Sequence, residues 1–398
     1  MGIVRYAAAL LRSSCKDGRI LIALIVALLF ATAPAIPQSS QLAFAGEDRT
    51  YYQELYTESQ SDLEHGLYDS APEALQTNMK REAEALEKAV TASDDHAYYA
   101  GLAEYTNLLI DDYDTGYLSG TDRPSLEAEA ALYQALSTSS EPELYASSAD
   151  MPALCYVSFT FAQAPSIVWL ALPLLICWSL LSRTERPRLL GCVPIRTGQK
   201  TLALIILSLI QSIALLVIAF APSFVVQAVA HGVGSLDYPV VIMQNGAVLS
   251  LTVGETLARQ LAQFAVGCLF VSLLVQAVKA LTSSAAAALA IALMVCVIPL
   301  APGYYDAPAG YTLAQAQATG TLRDLVAYLP TTYLSFAPIA GYPGSFPAVD
   351  ILPIAHASFA MGMLVLLVWS GACTVVLVAV RLIQKKLGVL RRGAVNHA

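Results

Sequence analysis

The chain has 398 residues, of which 56% are hydrophobic and 13% charged, with a mean hydropathy of +0.58. That balance excludes a disordered tail or an ordinary water-soluble enzyme and fits a membrane protein carrying one sizeable soluble insert. The net charge of −8 gives no footing for a nucleic-acid partner.

The charges are sorted by position. Fifteen of the 22 Lys and Arg fall in four segments that border apolar runs, 5–19, 183–200, the neighbourhood of Lys279, and 381–392, together with only two acidic residues, Asp17 and Glu185. The difference is 15 minus 2, or +13, and the rest of the chain, seven basic and 28 acidic residues, carries −21. Short loops rich in Lys and Arg stay in the cytoplasm, so the pattern predicts a polytopic plasma-membrane protein with both termini inside.

Taken in chain order, the expected fold is an all-α membrane protein with six transmembrane helices and a large, mainly helical extracytoplasmic insert between spans one and two. Residues 1–19 form a cytoplasmic N-terminal segment, 20–37 the first span and 38–165 the acidic insert. The second span is 166–182, a cytoplasmic loop comes next at 183–200, and the third span is 201–222. An outer loop at 223–255 leads to the fourth span, 256–282, and the fifth, 283–301. A second outer loop at 302–354 precedes the sixth span, 355–380, and a basic tail, 381–398. Each span approaches the roughly 17–25 residues a helix needs to cross hydrocarbon. The first also reads as a signal peptide, with Ala31-Thr32-Ala33 resembling a cleavage site. An uncleaved span is preferred because six crossings return the basic tail to the cytoplasm.

The insert holds 23 acidic and five basic residues, a net −18. Ser70-Ala71-Pro72-Glu73 combines a capping-box spacing with a first-turn proline, and Leu75, Met79, Leu86 and Val90 come after it on one helical face. Asp95–Ile110 and the stretch after Thr121-Asp122-Arg123-Pro124 repeat the pattern, the latter with Leu126, Ala130, Tyr133 and Leu136 to bury. The acidity reads either as a solvated surface or as a device that concentrates cationic substrates. Asp111-Asp112-Tyr113-Asp114 lacks the glycine and terminal glutamate of an EF-hand loop.

No metalloprotease, nucleophile-elbow or Walker A pattern occurs, and Gly198-Gln199-Lys200-Thr201 departs from a phosphate loop at Gln199. The chain therefore offers no catalytic residues, no metal ligands and no ATPase of its own. The spans carry almost no ionisable residues in their interiors, although ion-coupled carriers usually mark their path with them. Energy for transport would then come from a partner.

The loop Ser182–Lys200 is the place for such a partner to dock. Glu185, Leu189, Leu190, Pro194, Ile195, Arg196 and Lys200 resemble, in order, the loop that joins spans two and three in permease subunits of bacterial type-2 ABC transporters. Gly232–Val240 with Leu251–Glu255, and Tyr328–Leu334, are similar to segments before spans four and six of those permeases. The resemblance covers nearly the whole chain outside the insert and departs from the family at Arg186-Pro187-Arg188. It implies a permease of the exporting kind, paired with a second permease copy or paralogue and with separate ABC-type ATPase subunits. It also implies that ATP and Mg are bound only by those subunits. Glu185, Arg186, Leu189, Leu190, Val193, Pro194, Arg196 and Lys200 would form the ATPase-docking surface. The stretch Gly2–Leu11, with Ile3, Tyr6, Ala7 and Leu10 accompanied by Arg5 and Arg12, would lie as an amphipathic helix on the bilayer. Tyr238, Pro239, Pro330, Thr332 and Tyr333 would line an outer vestibule or pack the outer span ends. The alternative is a membrane-anchored sensor or scaffold with an acidic ligand-binding ectodomain.

Overall fold

The computed structural model describes residues 3–35, 49–67, 69–117, 123–145, 147–185, 196–244, 247–300, 326–341, 343 and 357–395. Side chains are described at all of these except 3, 183, 185, 243, 337, 338 and 387–395. The chain is a helical membrane protein. Four helices are long and apolar enough to cross a bilayer, or five if one bent pair counts as a single span, among the described residues.

α1 (Ile3–Ser14) is amphipathic, with Tyr6 and Leu10 fully buried and Arg5 and Arg12 exposed. It turns into α2 (Gly18–Thr32), where Asp17 is the N-cap and accepts the Arg19 backbone N–H. α2 presents Ala23, Ala27 and Ala31, one per turn, to its neighbours and leaves Leu21, Ile22, Ile25 and Leu29 outward. A face of small residues lets helix backbones approach closely in lipid, and an outward apolar face needs lipid to cover it.

The insert is built from α3 (Arg49–Glu64), α4 (Glu73–Val90), α5 (Asp95–Thr115) and α6 (Arg123–Leu136). α4 begins one residue after Pro72, with no side-chain cap, so Ser70 does not close the expected capping box. α5 is capped by Asp94 and ends at Gly116 in the left-handed region. Leu126, Ala130, Tyr133 and Leu136 of α6 are buried as expected. Tyrosines replace branched aliphatics in this core: Tyr52 and Tyr133 share a 2.7 Å hydrogen bond between hydroxyls, and the Tyr99 ring stacks on Tyr133.

The stretch 38–165 expected as the insert ends in an apolar helix that leads into the second span. α7 (Ala153–Gln163) is apolar and bends by 80° into α8 (Ser166–Glu185). The break is at Ala164, which is extended because Pro165 comes next. Phe161, Trp169, Phe220, Phe264 and Phe336 fill the elbow, and the Trp169 indole donates to the Phe161 carbonyl at 2.9 Å.

α9 (Thr197–His231) is 35 residues long. At about 1.5 Å per residue it exceeds the roughly 30 Å of hydrocarbon and reaches well into the insert layer. The loop expected at 223–255 is thus corrected: it holds the last turns of α9 and an antiparallel hairpin, β1 (Pro239–Gln244) with β2 (Ala247–Thr252). Tyr238, Val240, Ile242 and Leu251 of this hairpin lie in the same buried cluster as Tyr133 and Tyr156 of the insert. α10 (Val253–Thr282) starts from a capping box between Thr252 and Glu255. α11 (Ala285–Val297) continues as one 3-10 turn to Leu300. A 3-10 turn at Pro330–Leu334 and one helical turn at Ala337–Ala340 precede α12 (Phe359–Val395).

Candidate functional site: the basic end of the helix bundle

At the end of the bundle where the basic residues gather, α1 and α2 are fastened to α8 and α9. The second Asp17 carboxylate oxygen accepts from the Ser179 hydroxyl at 2.7 Å. Arg19 donates to Ser182 at 3.1 Å and lies 4.2 Å over the Trp178 ring. Gln211 donates to the Ser14 hydroxyl at 2.7 Å. Asp17 is one of the two acids in the basic segments, and its place as a cap explains it.

Next to this elbow is a cavity of about 390 Å³ onto which α1, α8, α9, α10 and α12 all open. Lys200, Lys279 and Arg381 line it from three different helices, with Tyr6, Thr184 and Gln276 between them. Arg381 donates to the Thr201 hydroxyl. Of the residues expected to dock an ATPase, Lys200 is half-buried and lines this cavity, and Arg196 is exposed at the N-cap of α9. Glu185 is the last residue of α8. Arg186, Leu189, Leu190, Val193 and Pro194 lie outside the described residues.

Deeper in the bundle the polar groups are neutral. Ser208 of α9 bonds to Ser272 of α10 at 3.0 Å and to Cys177 of α8 at 3.3 Å. Towards the insert, Thr256, Gln260 and Gln263 share one face of α10, and all are buried. The Gln260 amide donates to the carbonyls of Ser158 and Gly341 at 3.0 and 2.9 Å. Gln263 donates to those of Tyr333 and Ser335 at 2.8 and 2.7 Å. Irregular backbone at membrane depth must have its polar groups satisfied by protein or water, and these two glutamines do that for the broken chain at the insert end. Composition alone hides them, because only charged residues stand out in an apolar span.

The five residues expected at the outer vestibule are all buried. The Tyr238 hydroxyl donates to the Glu143 carbonyl at 2.8 Å, tying the hairpin to the insert. The Tyr333 hydroxyl donates to the Ala327 carbonyl at 2.7 Å, and Thr332 donates to that of Val326. Pro330 opens the 3-10 turn, and Pro239 heads β1 opposite Thr252. Gly234 has φ +80° and a side chain there would meet Pro152 at 2.7 Å, so this turn admits only glycine.

Comparison with protein-family models, with curated proteins and with solved structures finds no match.

Proposed function

We propose that this chain is the membrane-spanning permease subunit of a bacterial ABC exporter, driven by a separate ATPase. The observation that carries the reading is the cavity at the basic end. The segment 183–200 connects α8 to α9, whose ends line the cavity through Thr184, Thr197 and Lys200, and five helices meet there. A protein seated on that segment would bear on all five at once, which is what coupling a nucleotide cycle to span movement requires. The basic charge of this end argues that it faces the cytoplasm together with both termini. The six spans are then α2, the α7–α8 pair, α9, α10, α11 with its 3-10 turn, and α12. The insert with its hairpin lies outside, and two permeases, identical or related, form the pore.

Support also comes from α1, whose buried Tyr6 and Leu10 and exposed Arg5 and Arg12 suit a helix lying on the inner leaflet. The test is a pull-down of the tagged chain from native membranes in mild detergent, with mass spectrometry of the proteins that accompany it. A stoichiometric ATP-binding subunit is expected, and Glu185→Lys should lower the ATP hydrolysis of the complex. A crosslinked preparation free of any ATPase would overturn the reading.

A further inference from the structure

The cavity at the basic end adjoins a second space at Ser283, the left-handed cap of α10, which lines both. The second space is a groove of about 860 Å³ between α8 and α11. Leu174 and Leu175 wall it on one side, and Ala286, Leu289 and Leu293 on the other. From Ala285 to Leu293 it follows about 12 Å of helix, less than half of the roughly 30 Å of hydrocarbon, so it stays within one leaflet. Trp178 lines its basic end, and Arg19 lies 4.2 Å over that ring.

The two spaces differ in character. No charged residue is among the described residues that line the groove. Lys200, Lys279 and Arg381 bring three positive charges to the cavity from α9, α10 and α12. The basic segments hold two acids, of which Asp17 caps α2 and Glu185 ends α8. Setting Glu185 against the three cations still leaves a surplus of two positive charges. Lysine and arginine side chains that converge in this way suit a phosphate.

We propose that the two spaces together bind one anionic phospholipid, with its phosphate among Lys200, Lys279 and Arg381 and an acyl chain along the α8–α11 groove. Charge complementarity selects the head. The adjoining apolar groove selects a lipid over free phosphate, which would leave the groove unfilled. The bound phosphate ties together the ends of α9, α10 and α12. Its placement in the inner leaflet rests on the permease reading, in which this end faces the cytoplasm; basic pockets between spans on that side take anionic headgroups.

The test reads Trp178. The full chain carrying Trp369→Phe keeps Trp178 as its exposed tryptophan, because Trp169 is fully buried. In detergent micelles it is titrated with phosphatidylglycerol bearing brominated acyl chains, which quench tryptophan on contact, and with brominated phosphatidylcholine, whose headgroup has no net charge. Each cation beside a headgroup raises affinity roughly fivefold, so the anionic lipid should quench at a mole fraction at least about tenfold lower. Lys279→Gln with Arg381→Gln should remove that preference. Arg5→Gln with Arg12→Gln, exposed on α1 and outside the cavity lining, should keep it. Ala290→Phe fills the groove and should weaken quenching by the anionic lipid severalfold; it decides the matter if the charge variants fail to fold. Inorganic phosphate in large excess should not displace the lipid. Equal quenching by the two lipids, a preference untouched by the cavity variants or lost equally in the α1 variants, quenching unchanged by Ala290→Phe, or displacement by inorganic phosphate would overturn the proposal. None of these outcomes bears on whether an ATPase co-purifies, so failure here leaves the permease reading standing.

Discussion

Gly362 in α12 offers a test of how the insert end of the bundle is held together. A methyl group there would stand 2.5 Å from Tyr333 Cδ1, 3.0 Å from Cγ and 3.1 Å from Cε1. Ordinary carbon contacts are about 3.5–4.0 Å, so the overlap approaches an ångström. The ring has no easy retreat, because its hydroxyl is held by Ala327 and its carbonyl by Gln263. Overpacking of this kind costs about 1–3 kcal/mol. Against it stands the helix preference of alanine over glycine, about 1 kcal/mol. With the ring pinned, the clash takes the upper part of that range, about 2–3 kcal/mol, and Gly362→Ala should destabilise by about 1–2 kcal/mol net. Gly371 lies in the same helix with nothing within 4 Å of the equivalent position. Gly371→Ala should therefore stabilise by up to about 1 kcal/mol. Equilibrium unfolding of the purified chain in mixed micelles reads both. Combining Gly362→Ala with Tyr333→Leu should recover part of the loss, since the smaller side chain frees the space. A Gly362→Ala variant as stable as Gly371→Ala, or a double variant whose losses simply add, would refute the packing argument.

Other expectations rest on single contacts. Gln263→Leu strands the carbonyls of Tyr333 and Ser335 and should destabilise by about 2–4 kcal/mol in the same unfolding assay, at about 1–3 kcal/mol per stranded group with some relaxation. Asp17→Ala removes the cap of α2 and the Ser179 bond; a loss of about 1–2 kcal/mol is expected, and Asp17→Asn should recover part of it. Burial, then the neighbouring Asp112, raises Glu82 of the insert from 4.5 to about 8 in the fold, so its protonated form is favoured by folding. That contribution is complete below about pH 4.5 and is lost as pH rises through about 8. Wild type should accordingly lose stability relative to Glu82→Gln between about pH 5 and pH 9, by a few kcal/mol at about 1.4 kcal/mol per unit; parallel pH profiles for the two proteins would contradict this. Tyr238→Phe, which loses only the bond to Glu143, should cost about 1 kcal/mol.

The membrane character is legible in the sequence because a run such as 201–222 is apolar on every side, a signal that needs no tertiary context. The helices of the insert are legible through the spacing of Leu126, Ala130, Tyr133 and Leu136. The hairpin is harder to see although its sequence carries a mark, Asn245-Gly246 between two β-prone runs. The apolar stretch that trails off span three masks that period-two pattern. The Glu82–Asp112 pair is hidden for a different reason. The two residues are 30 positions apart, and nothing local distinguishes a carboxylate that will be buried from the many around it that stay solvated. Asp112 stands inside an acidic run whose spacing speaks only against a calcium loop. The polar face of α10 is silent because Thr256, Gln260 and Gln263 are uncharged, and the glutamines' partners are backbone carbonyls that only the folded chain brings near.

The hairpin also bears on how the insert can be handled and inherited. Its buried cluster draws residues from before α8 and after α9, and the Ala153 and Leu154 amides donate to the Gly232 and Val233 carbonyls across that gap. A fragment cut at the two ends of the acidic stretch would lack Val240, Ile242 and Leu251 and expose the apolar surface they cover. The insert is therefore not a cassette that can be excised, expressed alone or exchanged at a single pair of junctions. A functional graft has to carry two separate pieces of chain, and a substitution in either piece is answerable to the other.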